Sequence, residues 1–298
     1  MTAKHSSADY IDENTFQADI AYLETLFTRH LISNIELPLI DIGQGQPLVF
    51  VPMLENLEFV YARQIRFFSQ QRRVILYRRH ETRTHFTSLR ERAEELHLLL
   101  NHLEIMTADF IGHGDAAMVL LEFAIRYPQR CRSLTIVSQA AELHMPLQPW
   151  VWLLQELYLR LPLEHVLPAS FLRRTVVNSL IAPHHDRACD EPQQLLPREF
   201  IDEQFGKINI WPAVYKFSVL PVTHRFNIRK RLAALKMPIL LLNCFDDSHA
   251  PEASTRWLAN NLPNCAGYHL ISGGERFFLY SQAEPSNQII QGFLQHLA

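Results

Sequence analysis

Residues 106–118 read Met-Thr-Ala-Asp-Phe-Ile-Gly-His-Gly-Asp-Ala-Ala-Met, a short apolar strand that runs into Gly112-His113-Gly114-Asp115-Ala116 and then into a long apolar helix. A strand, a sharp turn flanked by small residues and a helix, in that order, is the setting in which a nucleophilic side chain is held on a strained backbone at the centre of the turn. The centre here is Gly114, which has no side-chain oxygen or sulfur. The next residue, Asp115, opens the helix. A carboxylate there is stabilised by the helix dipole whether or not it does chemistry, and it is a candidate acid/base only if it faces a ligand.

The elements that must position this turn are legible as an alternation. Residues 14–32 are expected to form a first helix. Residues 35–42 read as a strand that ends in the turn Gly43-Gln44-Gly45-Gln46, and 47–52 as a buried strand. Residues 57–68 are helical in pattern, 73–77 form a strand, and the leucine spacing over 89–103 predicts a helix. The strand at 108–111 feeds the turn, the helix over 115–127 leaves it and is stopped by Pro128, and 134–137 is the next strand. Strands alternating with helices of this length imply a parallel sheet covered by helices on both faces. From about 144 to 227 the rhythm gives way to helical and irregular chain rich in proline and aromatics. It resumes with strands at 237–243 and 268–271 and a closing helix over about 282–297. The expected organisation is an α/β core over residues 1–143 and 228–298 with a helical insertion over 144–227.

Composition narrows the function classes. At 298 residues, 48% hydrophobic and 20% charged, the chain can bury a large core. A formal net charge of −3 gives no global reason to expect nucleic acid or an acidic membrane as a partner. Residues 1–12 contain no apolar core of a secretory signal, and no stretch reaches the roughly 20 apolar residues of a membrane span. A soluble, cytoplasmic protein is the expectation. The four cysteines, Cys131, Cys189, Cys244 and Cys265, form no paired motif and read as free thiols. His184, His185, Asp186, Cys189 and Asp190 are metal-ligand types without ligand spacing. Neither a metal nor another cofactor is expected.

Taken together, these features resemble the α/β-hydrolase superfamily over roughly residues 33–298. The resemblance rests on Gly43-x-Gly45-x-Pro47 before the first buried strand and on the elbow at 112–116 with Glu122-Phe-Ala and Tyr127-Pro128 completing its helix. It rests also on Pro238-Ile-Leu-Leu-Leu-Asn-Cys-Phe-Asp-Asp-Ser-His-Ala-Pro251. It implies the α/β-hydrolase fold: a mostly parallel central sheet flanked by helices, with a helical cap. It also implies a triad of nucleophile, acid and histidine in chain order. The nucleophile position falls on Gly114 and the acid on Asp247. The histidine falls on Glu275 in the run Ser272-Gly273-Gly274-Glu275-Arg276-Phe277-Phe278. His269 lies too early, inside the last strand. His113 matches a histidine that neighbours the nucleophile in relatives and is not the base. Where relatives carry His-Gly after the first buried strand, this chain has Pro52-Met53-Leu54-Glu55. Where they carry aspartate and glycines, it has Arg78-Arg79-His80-Glu81.

Glu275 is therefore expected near Asp247, with Asp115 close. Neighbouring carboxylates repel, so either one carboxyl is raised or a cation from Arg78, Arg79 or Arg276 sits between them. Met53, Leu54, Arg78, His113, Trp150, Trp211 and Phe277 are the expected pocket lining. The reading is a hydrolase homologue without the triad that binds a small, largely apolar molecule; a protein partner or a homodimer is left open. One alternative is a nucleophile-free lyase, isomerase or cyclase that uses Asp115, Asp247 or Glu275 as acid/base. The other is a hydrolase with displaced groups, Ser138 or Ser272 with His80, His85 or His269.

Overall fold

The computed structural model describes residues 9–32, 35–143, 149–180 and 194–297 except Asn209, Arg225, Asp246, Ser248 and Gly274; the side chains of residues 9, 149–151 and 194 are also outside it. The main sheet has eight strands: β1 (Thr28–Ile32), β2 (Ile35–Ile42), β3 (Pro47–Phe50), β4 (Arg73–Tyr77), β5 (Ala108–His113), β6 (Cys131–Val137), β7 (Ile239–Cys244) and β8 (Cys265–Ile271). Their spatial order is β8-β7-β6-β5-β3-β4-β2-β1. β2 runs antiparallel to both β1 and β4, and the remaining neighbours are parallel. Every residue of β5 and β7 is buried, as strands covered on both faces require. Asp109, inside β5, is neutralised by Arg72 at 2.8 Å, Arg132 at 2.6 Å and the Ser133 hydroxyl at 2.6 Å.

The helices of seven or more residues are α1 (Glu13–Leu26), α2 (Ala62–Phe68), α3 (Leu89–His102), α4 (Asp115–Arg126), α5 (Pro149–Arg160), α6 (Ala169–Leu180), α7 (Arg198–Gly206), α8 (Glu252–Asn261) and α9 (Ala283–His296). Local chemistry starts them. Asp12 accepts from the Thr15 N–H at 2.9 Å at the head of α1, and Ser88 with Glu91 forms a reciprocal capping box at the head of α3. α3 packs on α4, while α2 packs on α1 and α9.

One expected element changes type. The helix expected over 14–32 ends at Leu26. Phe27 turns to an extended conformation, and Thr28–Ile32 becomes the edge strand β1, paired from Thr28↔Leu39 to Ile32↔Ile35. Helical spacing of apolar residues continues past Leu26, but β2 would otherwise be an unpaired edge, and β1 satisfies its backbone groups.

Between β6 and β7 lie α5, α6, α7 and a run from Trp211 to Thr223 that includes a π-helical turn at Tyr215–Val219. Its interior holds Trp211 edge-on to Phe205 at 5.5 Å and a Lys216–Glu164 ion pair at 2.6 Å. It is tied to the core where the Ser218 hydroxyl accepts from the Thr82 N–H at 2.8 Å. Among the described residues no helix is long and apolar enough to cross a membrane. Cys131, Cys244 and Cys265 form no disulfide among the described residues. Cys189, His184, His185, Asp186 and Asp190 lie outside the described residues.

Candidate functional site

β5 delivers the chain to the turn, and Gly114 takes φ +58° and ψ −119° at its centre. That conformation is strained for any residue with a Cβ. Gly112 is small for a different reason: a Cβ there would stand 2.9 Å from the Cα of Ala117, so the first turn of α4 could not sit on β5. The Gly114 N–H is held by the carbonyl of Val137 at 2.9 Å. The strand, the strained turn and the helix expected from the sequence are thus present, with a glycine at the centre of the turn.

The space over Gly114 is filled by Arg276. A Cβ built on Gly114 would lie 2.8 Å from Arg276 Nη2 and 3.8 Å from Met53 Cε. Arg276 Nη1 donates to the Asp247 carboxylate, 3.2 Å to Oδ1 and 3.5 Å to Oδ2. The Arg276 side chain is 7% exposed and that of Asp247 fully buried. Asp247 Oδ1 also accepts from the backbone N–H groups of His249 at 2.9 Å and Ala250 at 3.0 Å. Burial pushes the Asp247 carboxyl up, but the Arg276 guanidinium, with help from His249 and these hydrogen bonds, holds it below the usual carboxylate range.

His113 is locked beneath this pair. Its Nε2 donates to the Arg276 carbonyl at 2.7 Å and its Nδ1 faces the Met53 sulfur at 3.1 Å. Burial, reinforced by the Arg276 charge, lowers the imidazole to about 3, so it stays neutral. A neutral ring has one N–H, and the carbonyl claims it.

No family model matches the chain. It is 28% identical over 212 residues to a candidate carbamate hydrolase, RutD, of Stutzerimonas stutzeri, spanning 71% of this chain and 74% of that protein. It is 27% identical over 199 residues to a poly(3-hydroxyalkanoate) depolymerase of Ectopseudomonas oleovorans, spanning 66% of this chain and 64% of that one. The structure superposes on a thermophilic esterase of Thermogutta terrifontis with a TM-score of 0.70 at 18% identity, covering 91% of this chain and 98% of that one. The chain has the α/β-hydrolase fold. The group between Gly114 and the Asp247 carboxylate is the guanidinium of Arg276.

The three arginines expected near the elbow share no acid among them. Arg276 meets Asp247, Arg79 meets Asp115 at 2.6 Å, and Arg78 meets Glu58 at 3.3 Å and Glu24, with its guanidinium 4.2 Å above the Phe27 ring. Burial raises the Glu58 carboxyl to about 7 against the pull of Arg78. Glu275 sits on a left-handed backbone at φ +48°, and its carbonyl receives the Cys244 thiol at 3.0 Å. The loop after β8 thus brings the residue next to Glu275 onto Asp247. Arg276 was visible in the sequence as one of three cations; its role as the bridging group was not.

The remaining expected lining residues are mostly packing. Met53 and Leu54 are buried in the turn after β3. Phe277 stacks on Phe59 with centroids 6.1 Å apart and lies 6.4 Å from His113. Trp211 is inside the helical segment, against Phe205 and Tyr215. Trp150 is the second residue of α5, and its side chain lies outside the described residues.

Proposed function

We propose that this chain is a hydrolase-fold protein that acts by binding, without acyl-transfer chemistry at its elbow. The observation that carries the reading is the buried guanidinium of Arg276, 2.8 Å from where a side chain on Gly114 would begin and ion-paired to Asp247. Hydrolysis at an elbow needs a nucleophile and a group that takes its proton. Glycine supplies no nucleophile, and a guanidinium is always protonated and accepts nothing.

The nucleophile-free alternative draws less support. A carboxylate acid/base works best with a pKa near the operating pH, whereas the Asp247 carboxyl is held low and Asp115 is engaged by Arg79. The small apolar ligand expected from the sequence also loses its place at the elbow, because Met53, Phe277 and Trp211 are used in packing. A bound molecule is better sought elsewhere on the core.

One observation favours hydrolysis with displaced groups, in line with the hydrolase names of the sequence relatives. Ser138 is buried at the end of β6 on a left-handed backbone with φ +51°. Its hydroxyl lies beside Asp247, near enough to help hold that carboxyl low but not in a formed hydrogen bond. Wild-type protein, incubated with p-nitrophenyl acetate and butyrate and with a fluorophosphonate probe, is expected to release no nitrophenol above buffer and to take no label. Turnover that disappears in Asp247→Asn overturns the proposal. Labelling that disappears in Ser138→Ala moves the assignment to the displaced-serine reading.

A further inference from the structure

We propose that the outward face of α5 is a docking surface for a second copy of this chain, which makes a two-fold dimer. Six of the fourteen large apolar side chains exposed among the described residues fall within residues 153–171: Leu153, Leu154, Leu157, Leu161, Val166 and Phe171. Single apolar side chains scattered over a surface are ordinary, whereas a run of them marks a place of interaction.

α5 is turned inside out relative to an ordinary surface helix, which hides its apolar stripe and shows its polar one. Its inner face makes the hydrogen bonds. The buried Tyr158 donates its hydroxyl to the Pro212 carbonyl at 2.6 Å. Glu156 accepts from His224 Nε2 at 2.7 Å, with the Trp152 ring 5.4 Å from that imidazole. The outer face is leucine: Leu153, Leu154, Leu157 and Leu161 are 39–61% exposed. The Leu161 N–H still bonds to the Leu157 carbonyl at 2.9 Å, so the helical turn carries on to it. At about 100° per residue the four leucines share one arc of about 100°.

The occupant follows from the symmetry of that arc. Leu153, Leu157 and Leu161 are spaced by four, so they form a ridge that reads the same in both directions from Leu157. Ridges of this spacing on two helices interdigitate with the axes crossing at about −50°, the commonest helix packing in globular proteins. A two-fold dimer must seat one patch on its own copy. With Leu157 at the axis, Leu153 meets Leu161 at both ends, and no unlike group enters the seam. The acids beside the stripe are already met, Glu156 by His224 and by Arg160 at 3.3 Å, and Glu164 by Lys216 at 2.6 Å. Arg160 stands at the rim with its side chain 75% exposed and keeps its charge in water. One such arginine is few for a helix lying on an anionic bilayer, whose polar face is rich in Lys and Arg.

The area is also that of a pair. Four half-exposed leucines offer on the order of 400 Å² of apolar surface per copy, and at about 60% apolar content an interface built on them buries about 1,300 Å² in all. That is the lower part of the range for specific interfaces, so a dimer in reversible, micromolar exchange is expected. None of this depends on the chemistry of the elbow.

Sedimentation velocity of the full chain over about 1–100 µM tests the contact. A shift from monomer to dimer across that range is expected. Leu157→Glu is expected to weaken self-association at least tenfold, whereas Leu98→Glu on α3, at a leucine of the same 39% exposure, leaves it unchanged. Both positions are on the surface, and circular dichroism checks that both variants fold. A monomer throughout the range, a dimer that Leu157→Glu leaves intact, or one that the two variants weaken alike overturns the proposal. A monomer that co-sediments with phosphatidylcholine–phosphatidylglycerol vesicles, and no longer does so as Leu157→Glu, gives this face to lipid and overturns it equally.

Discussion

Adding one carbon to Gly114 measures what Arg276 does there. In Gly114→Ala the new Cβ must adopt φ +58°, ψ −119°, a strain of about 1–3 kcal/mol. It must also stand 2.8 Å from Arg276 Nη2, so the guanidinium must retreat. Retreat stretches the 3.2 Å hydrogen bond to Asp247, a charge-assisted contact worth about 1.5–3 kcal/mol when buried. The single variant is therefore expected to lose about 2.5–6 kcal/mol by the sum of these two effects. In an Arg276→Met background the contact is already gone, and the same alanine costs only the backbone strain, about 1–3 kcal/mol. A double-mutant cycle by urea denaturation, followed by far-UV circular dichroism at pH 7, should give a coupling of about 1.5–3 kcal/mol, the double variant being less damaged than the sum. A coupling within about 0.5 kcal/mol of zero, the limit for independent sites, would mean that Arg276 does not occupy the elbow, and the functional reading would fall with it.

Further outcomes follow from the same geometry. Gly114→Ser is expected to remain inactive on p-nitrophenyl esters, because the nearest group over position 114 is the Arg276 guanidinium, which accepts no proton; turnover by that variant alone refutes the placement of Arg276 between Gly114 and Asp247. The Asp247 carboxyl is lowered in the folded state, so its contribution is present above the unfolded value of about 3.9 and is lost as pH falls. Asp247→Asn should flatten the acid limb of the stability curve below about pH 4, and an unchanged limb argues against the buried pair. Glu58 has the opposite sign: its folded value is raised to about 7, so its contribution is full below the unfolded value of about 4.3 and is lost as pH rises towards 7. Glu58→Gln should be more stable than wild type at pH 8 by on the order of 2 kcal/mol, as read by thermal melts, with no gain at pH 4. His113→Phe removes the donor to the Arg276 carbonyl and should cost about 1–3 kcal/mol; a neutral result means that this carbonyl is satisfied in another way.

The fold was largely legible in the sequence because its elements are set by local signals. Alternating apolar runs, the leucine spacing over 89–103 and the stop at Pro128 act within a few residues, and together they give strands, helices and a parallel sheet. The elbow was legible for the same reason: Gly112 and Gly114 mark a close approach and a strained turn whatever else surrounds them. The first departure from the expected elements, Thr28–Ile32 as a strand, came from pairing with β2, which no window on those residues contains. The assignment of charges was decided only in three dimensions. Arg276 and Asp247 are 29 positions apart, Arg79 and Asp115 are 36, and Arg78 and Glu58 are 20. Sequence could name the arginines and the acids, but which meet depends on where the strand ends converge. Glycine at 114 told that the centre of the turn carries no side chain. That the vacated space holds a buried cation follows from Gly273 at φ +76° and Glu275 at φ +48°, two left-handed residues in the loop after β8 that carry Arg276, one position beyond Glu275, onto Asp247.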